Sequence, residues 1–220
     1  DGYSIVNVNV PQRYQSSIAA LINGKITEYI DDLSVTKIRN YAFVGCYSLT
    51  NVSFSSCRVI EDYAFADCRF LESVTIPATV REIRYSAFEN NRMLSTVNFA
   101  AESALTTIGN WAFYNCHELK NITIPEGVTE IGYAAFYGCT YMSELSLPES
   151  MQYIADNGFA LCSKLRRMNV AASTPPTVAA RTFEDVDRTI PVVVPDASVS
   201  VYNSASVSGC HCLSVRSVVL

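Results

Sequence analysis

The sequence predicts an α/β solenoid: short coils stacked along one axis, each adding a strand to a parallel sheet, with short helical or 3-10 turns and loops on the other side. Three observations predict it. A block of fixed internal order recurs six times at intervals of 22 to 25 residues. Each block ends in an apolar–x–apolar segment, which has the two-residue period of a strand. Each block also carries about five large apolar side chains, which one block cannot enclose alone and a stack can.

The blocks are anchored on Ile38, Ile60, Ile83, Ile108, Ile131 and Ile154, spaced 22, 23, 25, 23 and 23 residues apart. Three residues earlier stands Val35, Cys57, Val80, Leu105, Val128 or Met151. Five residues after each isoleucine comes Phe43, Phe65, Phe88, Phe113, Phe136 or Phe159, always preceded by Ala or, once, Gly158. No proline interrupts the segment from isoleucine to the residue three after the phenylalanine, which suits a tight helical or 3-10 turn. Cys46, Cys68, Asn91, Cys116, Cys139 and Cys162 follow three residues after the phenylalanine, and Leu49, Leu71, Leu94, Leu119, Met142 and Leu165 three further on. The strand pairs are Val52/Phe54, Val74/Ile76, Val97/Phe99, Ile122/Ile124, Leu145/Leu147 and Met168/Val170. Pro77, Pro125 and Pro148 close three of them, where a missing N–H costs little and φ is already set for a turn. Burying the large side chains of one coil gains on the order of 10 kcal/mol before chain entropy is subtracted.

This unit resembles the leucine-rich repeat, specifically the BspA-like, Treponema pallidum-type class, whose pattern is close to L-x-x-[IL]-x-IP-x-x-V-x-x-I-G-x-x-AF-x-x-C. LKNITIPEGVTEIGYAAFYGC, from Leu119 to Cys139, matches nearly throughout, and the likeness spans about 35–170. The units around Phe54 and Phe99 lack the proline, and 100–105 carries two extra residues. The resemblance implies a right-handed leucine-rich-repeat solenoid with its parallel sheet on a concave face. It divides one structural domain into an N-terminal cap (1–34), about six repeats (35–173), and a degraded repeat with a C-terminal cap (174–220). In the first cap Ile18, Leu21 and Ile22 have helical spacing, and GKITEYI looks like a lead-in strand. In the last segment Phe183 lies 24 residues after Phe159 and marks a seventh unit, followed by IPVVVPDASVSVYNSA, a strand and a short helix.

Composition narrows function. Apolar residues make up 49% and charged residues 17% of the 220, which argues for a folded, well-buried chain. The net charge of −5, with no Lys/Arg run, disfavours nucleic acid and anionic membrane surfaces as partners. No apolar run approaches the roughly 20 residues of a membrane span. DGYSIVNVNV has neither the basic start nor the apolar core of a signal peptide, but a chain beginning at Asp1 says nothing about a leader removed earlier.

Cysteine invites chemistry. Yet Cys46, Cys68, Cys116, Cys139 and Cys162 share one repeat position, and Asn91 replaces them once. Both side chains are small and can hydrogen-bond loop backbone while enclosed, so a buried structural ladder is expected. Cys57 aligns with Val80 and Val128 as a core residue. Cys210, His211 and Cys212 form the one local Cys/His cluster, and His117 is the only other histidine. A metal site needs three or four converging ligands, so no metal is expected there; a disulfide and idle tail thiols both remain open.

No G-x-S-x-G, P-loop or G-x-G-x-x-G motif is present, and a His-based triad is poorly supplied by two histidines. Glu126, Glu130, Glu144 and Glu149 are spread over successive coils rather than paired. A non-catalytic chain without cofactor is expected; an enzyme would need a deep pocket with perturbed titrating groups.

Two columns are candidates for binding. Ser53, Thr75, Asn98, Thr123, Ser146 and Asn169 lie between the strand apolar pairs and so point outward from the sheet. Short side chains of this kind stack well across strands, and they also admit a protein or glycan backbone closely. Tyr41, Tyr63, Tyr85, Trp111 and Tyr133 precede the phenylalanines, with Tyr114, Tyr137 and Tyr141 nearby. They either cover the edge of a thin core or, if exposed, offer contact residues. The resemblance implies a secreted or cell-surface bacterial protein that adheres to a protein or glycan on another cell or matrix. A structural spacer within a larger surface protein is the other reading.

Overall fold

A computed structural model describes residues 3–5, 26–30, 35–204 and 214–217, with side chains described for 35–204. The Ile18, Leu21 and Ile22 spacing and the Cys210, His211 and Cys212 cluster lie outside the described residues.

The apolar–x–apolar segments form the front strands of the stack. They are Asn51–Ser53, Ser73–Ile76, Thr96–Phe99, Asn121–Thr123, Glu144–Leu147 and Arg167–Val170, preceded by Tyr3–Ile5 and Ile26–Ile30 and followed by Pro191–Val194 and Ser214–Ser217. Neighbours pair in parallel, one coil apart: Leu145 lies beside Ile122 and Met168. In Ser73–Ile76 the residues alternate exposed and buried, as the two-residue period requires. Within the GKITEYI lead-in, Ile26–Ile30 is a strand, with Tyr29 beside Val52.

The isoleucines do not sit in the turns. Ile38, Ile60, Ile83, Ile108, Ile131 and Ile154 pair in register, with Val178 as the next rung, in a second parallel sheet of seven strands, each two residues long. Each coil therefore has a strand on two sides.

Between the isoleucine and the cysteine the chain makes successive i+3→i turns that never extend into a helix. The residues two before and two after each phenylalanine have positive φ: Tyr41 and Gly45 around Phe43, Trp111 and Asn115 around Phe113, Asn157 and Leu161 around Phe159. A left-handed residue on either side stops a right-handed run. It also alternates the direction of the N–H groups. Those of Trp111, Phe113 and Asn115 reach the carbonyls of Tyr133, Ala135 and Tyr137 in the next coil, while those of Ala112 and Tyr114 close turns on Gly109 and Trp111. This is a third ladder of hydrogen bonds along the stack. Among the described residues helix appears only at Val199–Ser204, after the 3-10 turn Asp196–Ser198.

Phe43, Phe65, Phe88, Phe113, Phe136, Phe159 and Phe183 stack as one column, with ring centroids 5.1 to 5.7 Å apart. Phe183 thus continues the phenylalanine column beyond Phe159. The column lies in a core that also holds the isoleucines, the leucines and the inward strand residues.

The front sheet is interrupted twice, between Asn51–Ser53 and Ser73–Ile76 and between Thr96–Phe99 and Asn121–Thr123. Both gaps follow the coils that end in Phe54 or Phe99 without a proline.

Candidate functional site

The outward ladder is built by the register of the front strands. Thr75 pairs with Asn98, and Thr123, Ser146 and Asn169 pair in sequence. Ser53, Thr75, Asn98 and Thr123 are exposed, and Ser146 and Asn169 half-buried. The last rungs are tied together: Asn169 Nδ2 donates to Glu144 Oε1 at 2.8 Å and Ser146 Oγ at 3.3 Å, and Arg167 Nε to Asn169 Oδ1 at 2.9 Å.

Four of the six ladder residues form the floor of two adjoining depressions. The first, of about 680 Å³, includes Asn98, Phe99, Glu102, Lys120, Asn121 and Thr123. It sits at the second gap in the front sheet, under the loop carrying the two extra residues. The second, of about 600 Å³, includes Thr123, Ser146, Asn169, Pro148, Val193 and Pro195. Thr123, Pro125 and Glu126 line both, so the two form one trough crossing successive coils. Ser53 and Thr75 lie outside it. Glu126 is partly committed to structure, since its carboxylate accepts the N–H groups of Glu149 and Ser150 at 2.9 and 3.4 Å.

The aromatic column is continuous. Tyr41, Tyr63, Tyr85, Trp111 and Tyr133 follow one another with centroids 4.9 to 5.3 Å apart. Only Tyr41 is exposed, at 44%; the other four are half-buried under their neighbours. Their geometry covers the edge of the core. Beyond Tyr133, whose phenol oxygen accepts from Asn157 Nδ2 at 3.1 Å, the column ends. Tyr114 and Tyr137 stack on each other at 5.1 Å, and Tyr141 stands apart with the Lys164 ammonium 3.4 Å from its ring centre.

Among the described residues, Cys46, Cys57, Cys68, Cys116, Cys139 and Cys162 are buried thiols. The Cys68, Cys116, Cys139 and Cys162 thiols donate to the carbonyl oxygens of Phe43, Phe88, Phe113 and Phe136 in the preceding coil at 3.1 to 3.4 Å. Burial pushes Cys46 and Cys162 up to about 12 and the other three still more strongly upward. A thiol so held is neither a nucleophile nor a metal ligand, both of which are thiolates. Asn91 departs from the expectation that it would bond like the cysteines, since its Oδ1 and Nδ2 are enclosed without a partner. One backbone carbonyl per coil suits a single S–H donor but leaves an amide, with its oxygen and two N–H groups, undersupplied. Among the described residues no group of three or more His, Cys, Asp or Glu is placed to hold a metal.

One surface feature entered the sequence reading only through Tyr141. Tyr47, Phe70, Met93 and Tyr141, four or five residues after their phenylalanines, are exposed at 45, 54, 41 and 44%. The Arg69 guanidinium lies 5.1 Å from the centre of the Tyr47 ring. These side chains occupy two adjacent columns, so no single repeat position marks them.

The geometry of stacked, strand-based coils meets its counterpart in the family comparison. A model described as "BspA type Leucine rich repeat region (6 copies)" matches residues 4–104 and again 93–214. The chain belongs to this BspA-type family. Among solved structures the BspA-type chain is similar to a leucine-rich repeat protein of T. pallidum (TpLRR), with 23% identity, a TM-score of 0.65, and 98% of this chain and 92% of that chain covered. At that identity the likeness speaks for the fold. The pneumococcal vaccine antigen PcpA aligns at 16% identity and TM-score 0.35, over 89% of this chain and 80% of that one. A leucine-rich cell surface protein of Faecalibacterium prausnitzii aligns at 16% and 0.33, over 99% and 83%. No curated protein matches the chain.

Proposed function

We propose that this BspA-type solenoid is a non-catalytic recognition module of a secreted or cell-surface bacterial protein, binding a protein or glycan through the front face. The observation that carries the reading is the trough, whose floor is the Asn98, Thr123, Ser146 and Asn169 ladder. Its combined extent crosses several coils, which suits an elongated ligand better than a compact metabolite. The floor offers neutral donors and acceptors on short side chains, and Phe99, Pro125, Pro148 and Pro195 add apolar surface. Such a mixture of apolar area and a few placed polar groups is what ligand sites use.

The test is a screen of matrix proteins and glycans with the wild-type chain, repeated with Asn98→Trp and Ser146→Trp, which fill the trough from exposed or half-buried positions. Ligands captured by the wild type and lost by both variants support the reading. Capture unaffected by either variant removes the trough as the recognition surface.

A further inference from the structure

The front face carries opposite charge on its two edges. Lys120 and Arg166 stand immediately before their front strands, and Lys164 and Arg188 a little further back on the same side. Glu126, Glu149 and Asp196 each follow a proline just past the end of their strands, and Glu102 lies on the same side. The strands are parallel and in register, so these residues gather into a basic edge and an acidic rim on opposite sides of one sheet. Glu118 and Asp187 dilute the basic edge without reversing it, and Glu144 is offset by Arg167 at 3.8 Å. Among the described residues Lys120, Arg166, Glu102, Glu149 and Asp196 have no ion-pair partner, and all five are exposed. Between the edges the floor is neutral.

We propose that this face docks the same face of a second copy of the chain. The inference rests on the reading of the front face as a recognition surface and names its partner. A twofold axis parallel to the stack reverses strand direction between the copies and lays each basic edge on the other's acidic rim. A twofold axis along the strands would set like on like and is rejected by repulsion. Spacing favours a second copy over an extended peptide. The charges recur at most once per coil, about 4.8 Å, whereas a peptide strand repeats a side every ~6.7 Å and falls out of step. A second stack keeps step rung for rung. Four coils of front face bury roughly 1,000 Å² in total between the copies, at the lower bound for a specific interface, so the dimer is weak and salt-sensitive.

Sedimentation equilibrium of the whole chain tests this. At about 50 mM salt the mass should rise toward a dimer over tens to hundreds of micromolar protein, and return to monomer near 0.5 M salt. Lys120→Glu with Arg166→Glu should be monomeric, as should Glu102→Lys with Glu149→Lys, each with an unchanged circular dichroism spectrum. Equimolar mixing of the two variants should restore a dimer, because one then presents two acidic edges and the other two basic ones. A wild type that stays monomeric throughout, or variants that keep the wild-type mass, would overturn the inference. Loss of screened ligands in Asn98→Trp and Ser146→Trp alongside a monomeric wild type would overturn it while leaving the recognition reading intact.

Discussion

The Cys116 thiol donates to the Phe88 carbonyl oxygen one coil earlier, at 3.2 Å. The same bond, repeated from Cys68, Cys139 and Cys162, runs against the direction of the backbone bonds, in which each phenylalanine N–H reaches forward to the next coil. Each coil is thus tied to both neighbours near its phenylalanine. The sulfurs are structural donors, and their chemistry should be silent in the folded chain.

Thiol titration and stability against pH give the first prediction. Cys46 and Cys162 move from an ordinary 9.0 to about 12 through burial. A folded chain that holds a proton more tightly than the unfolded chain is favoured while both are protonated. It loses that advantage once the unfolded chain ionises. Stability should therefore be level below about pH 9 and fall between 9 and 12, by about 1.4 kcal/mol per pH unit for each such thiol. A thiol reagent at pH 8, followed by peptide mapping, should leave Cys46, Cys57, Cys68, Cys116, Cys139 and Cys162 unmodified until denaturant is added. Rapid labelling of Cys139 in native buffer would contradict the ladder.

Asn91 supplies the converse. Its amide is enclosed with no hydrogen-bond partner, at the position where five other coils place a thiol. Leaving a buried polar group unpaired costs about 1–3 kcal/mol. Asn91→Cys should recover much of that by donating to the Phe65 carbonyl, raising Tm by several degrees. Cys116→Asn should lower it. Equal Tm values in denaturation scans of Asn91→Cys and wild type would mean that the amide is satisfied in solution.

Leu161 has φ of 58° in the position two after its phenylalanine. The same position holds Gly45, Asp67, Asn90, Asn115, Gly138 and Asp185, residue types that tolerate the left-handed region. Leucine there carries a backbone penalty of about 1 kcal/mol. Leu161→Asn should shift the urea midpoint upward by roughly 0.5–1 kcal/mol of stability, and Leu161→Val should shift it downward. A lower midpoint for Leu161→Asn would show that the half-buried leucine contributes more by packing than its backbone costs.

The period and its anchors made the coil stack, the front strands and the phenylalanine column legible from sequence, because each is written by one large apolar residue at a fixed place. The back sheet was not, since Glu130–Ile131 and its counterparts are too short to show alternation. The left-handed pairs were hidden by variety at the first of them, which holds Tyr41, Ser86, Trp111 and Ala134 alike. For the candidate site, the outward direction of Asn98, Thr123, Ser146 and Asn169 followed from the strand period. The trough did not, because it depends on where the two residues added near Glu102 send the loop. Sequence shows that they are extra but not the path they take.

Gly132 shows how closely the coils approach. A Cβ built there would lie 2.6 Å from both the N and Oδ1 of Asn110 and 2.7 Å from the Gly109 carbonyl carbon. The Asn110 Oδ1 is itself fixed, accepting the Tyr133 N–H at 2.8 Å. Two of the three obstructing atoms are backbone, in the coil that supports Trp111, so neither can swing away. Gly→Ala at a site with room would stabilise by about 0.4–1 kcal/mol through the unfolded chain. Here the clash should dominate, and Gly132→Ala should lose about 2–4 kcal/mol. Trp111 and Tyr133, which follow Asn110 and Gly132 in the chain, meet edge to face with ring centroids 5.2 Å apart, so the environment of the only tryptophan should change with it. Ala155, one coil on, occupies the corresponding position with a Cβ in place, and Ala155→Gly should cost no more than about 1 kcal/mol. Urea melts of the two variants, followed by Trp111 fluorescence, decide the matter. Comparable stability for Gly132→Ala and wild type would mean that the coils can part at this point, and that the backbone ladder is looser than its hydrogen bonds indicate.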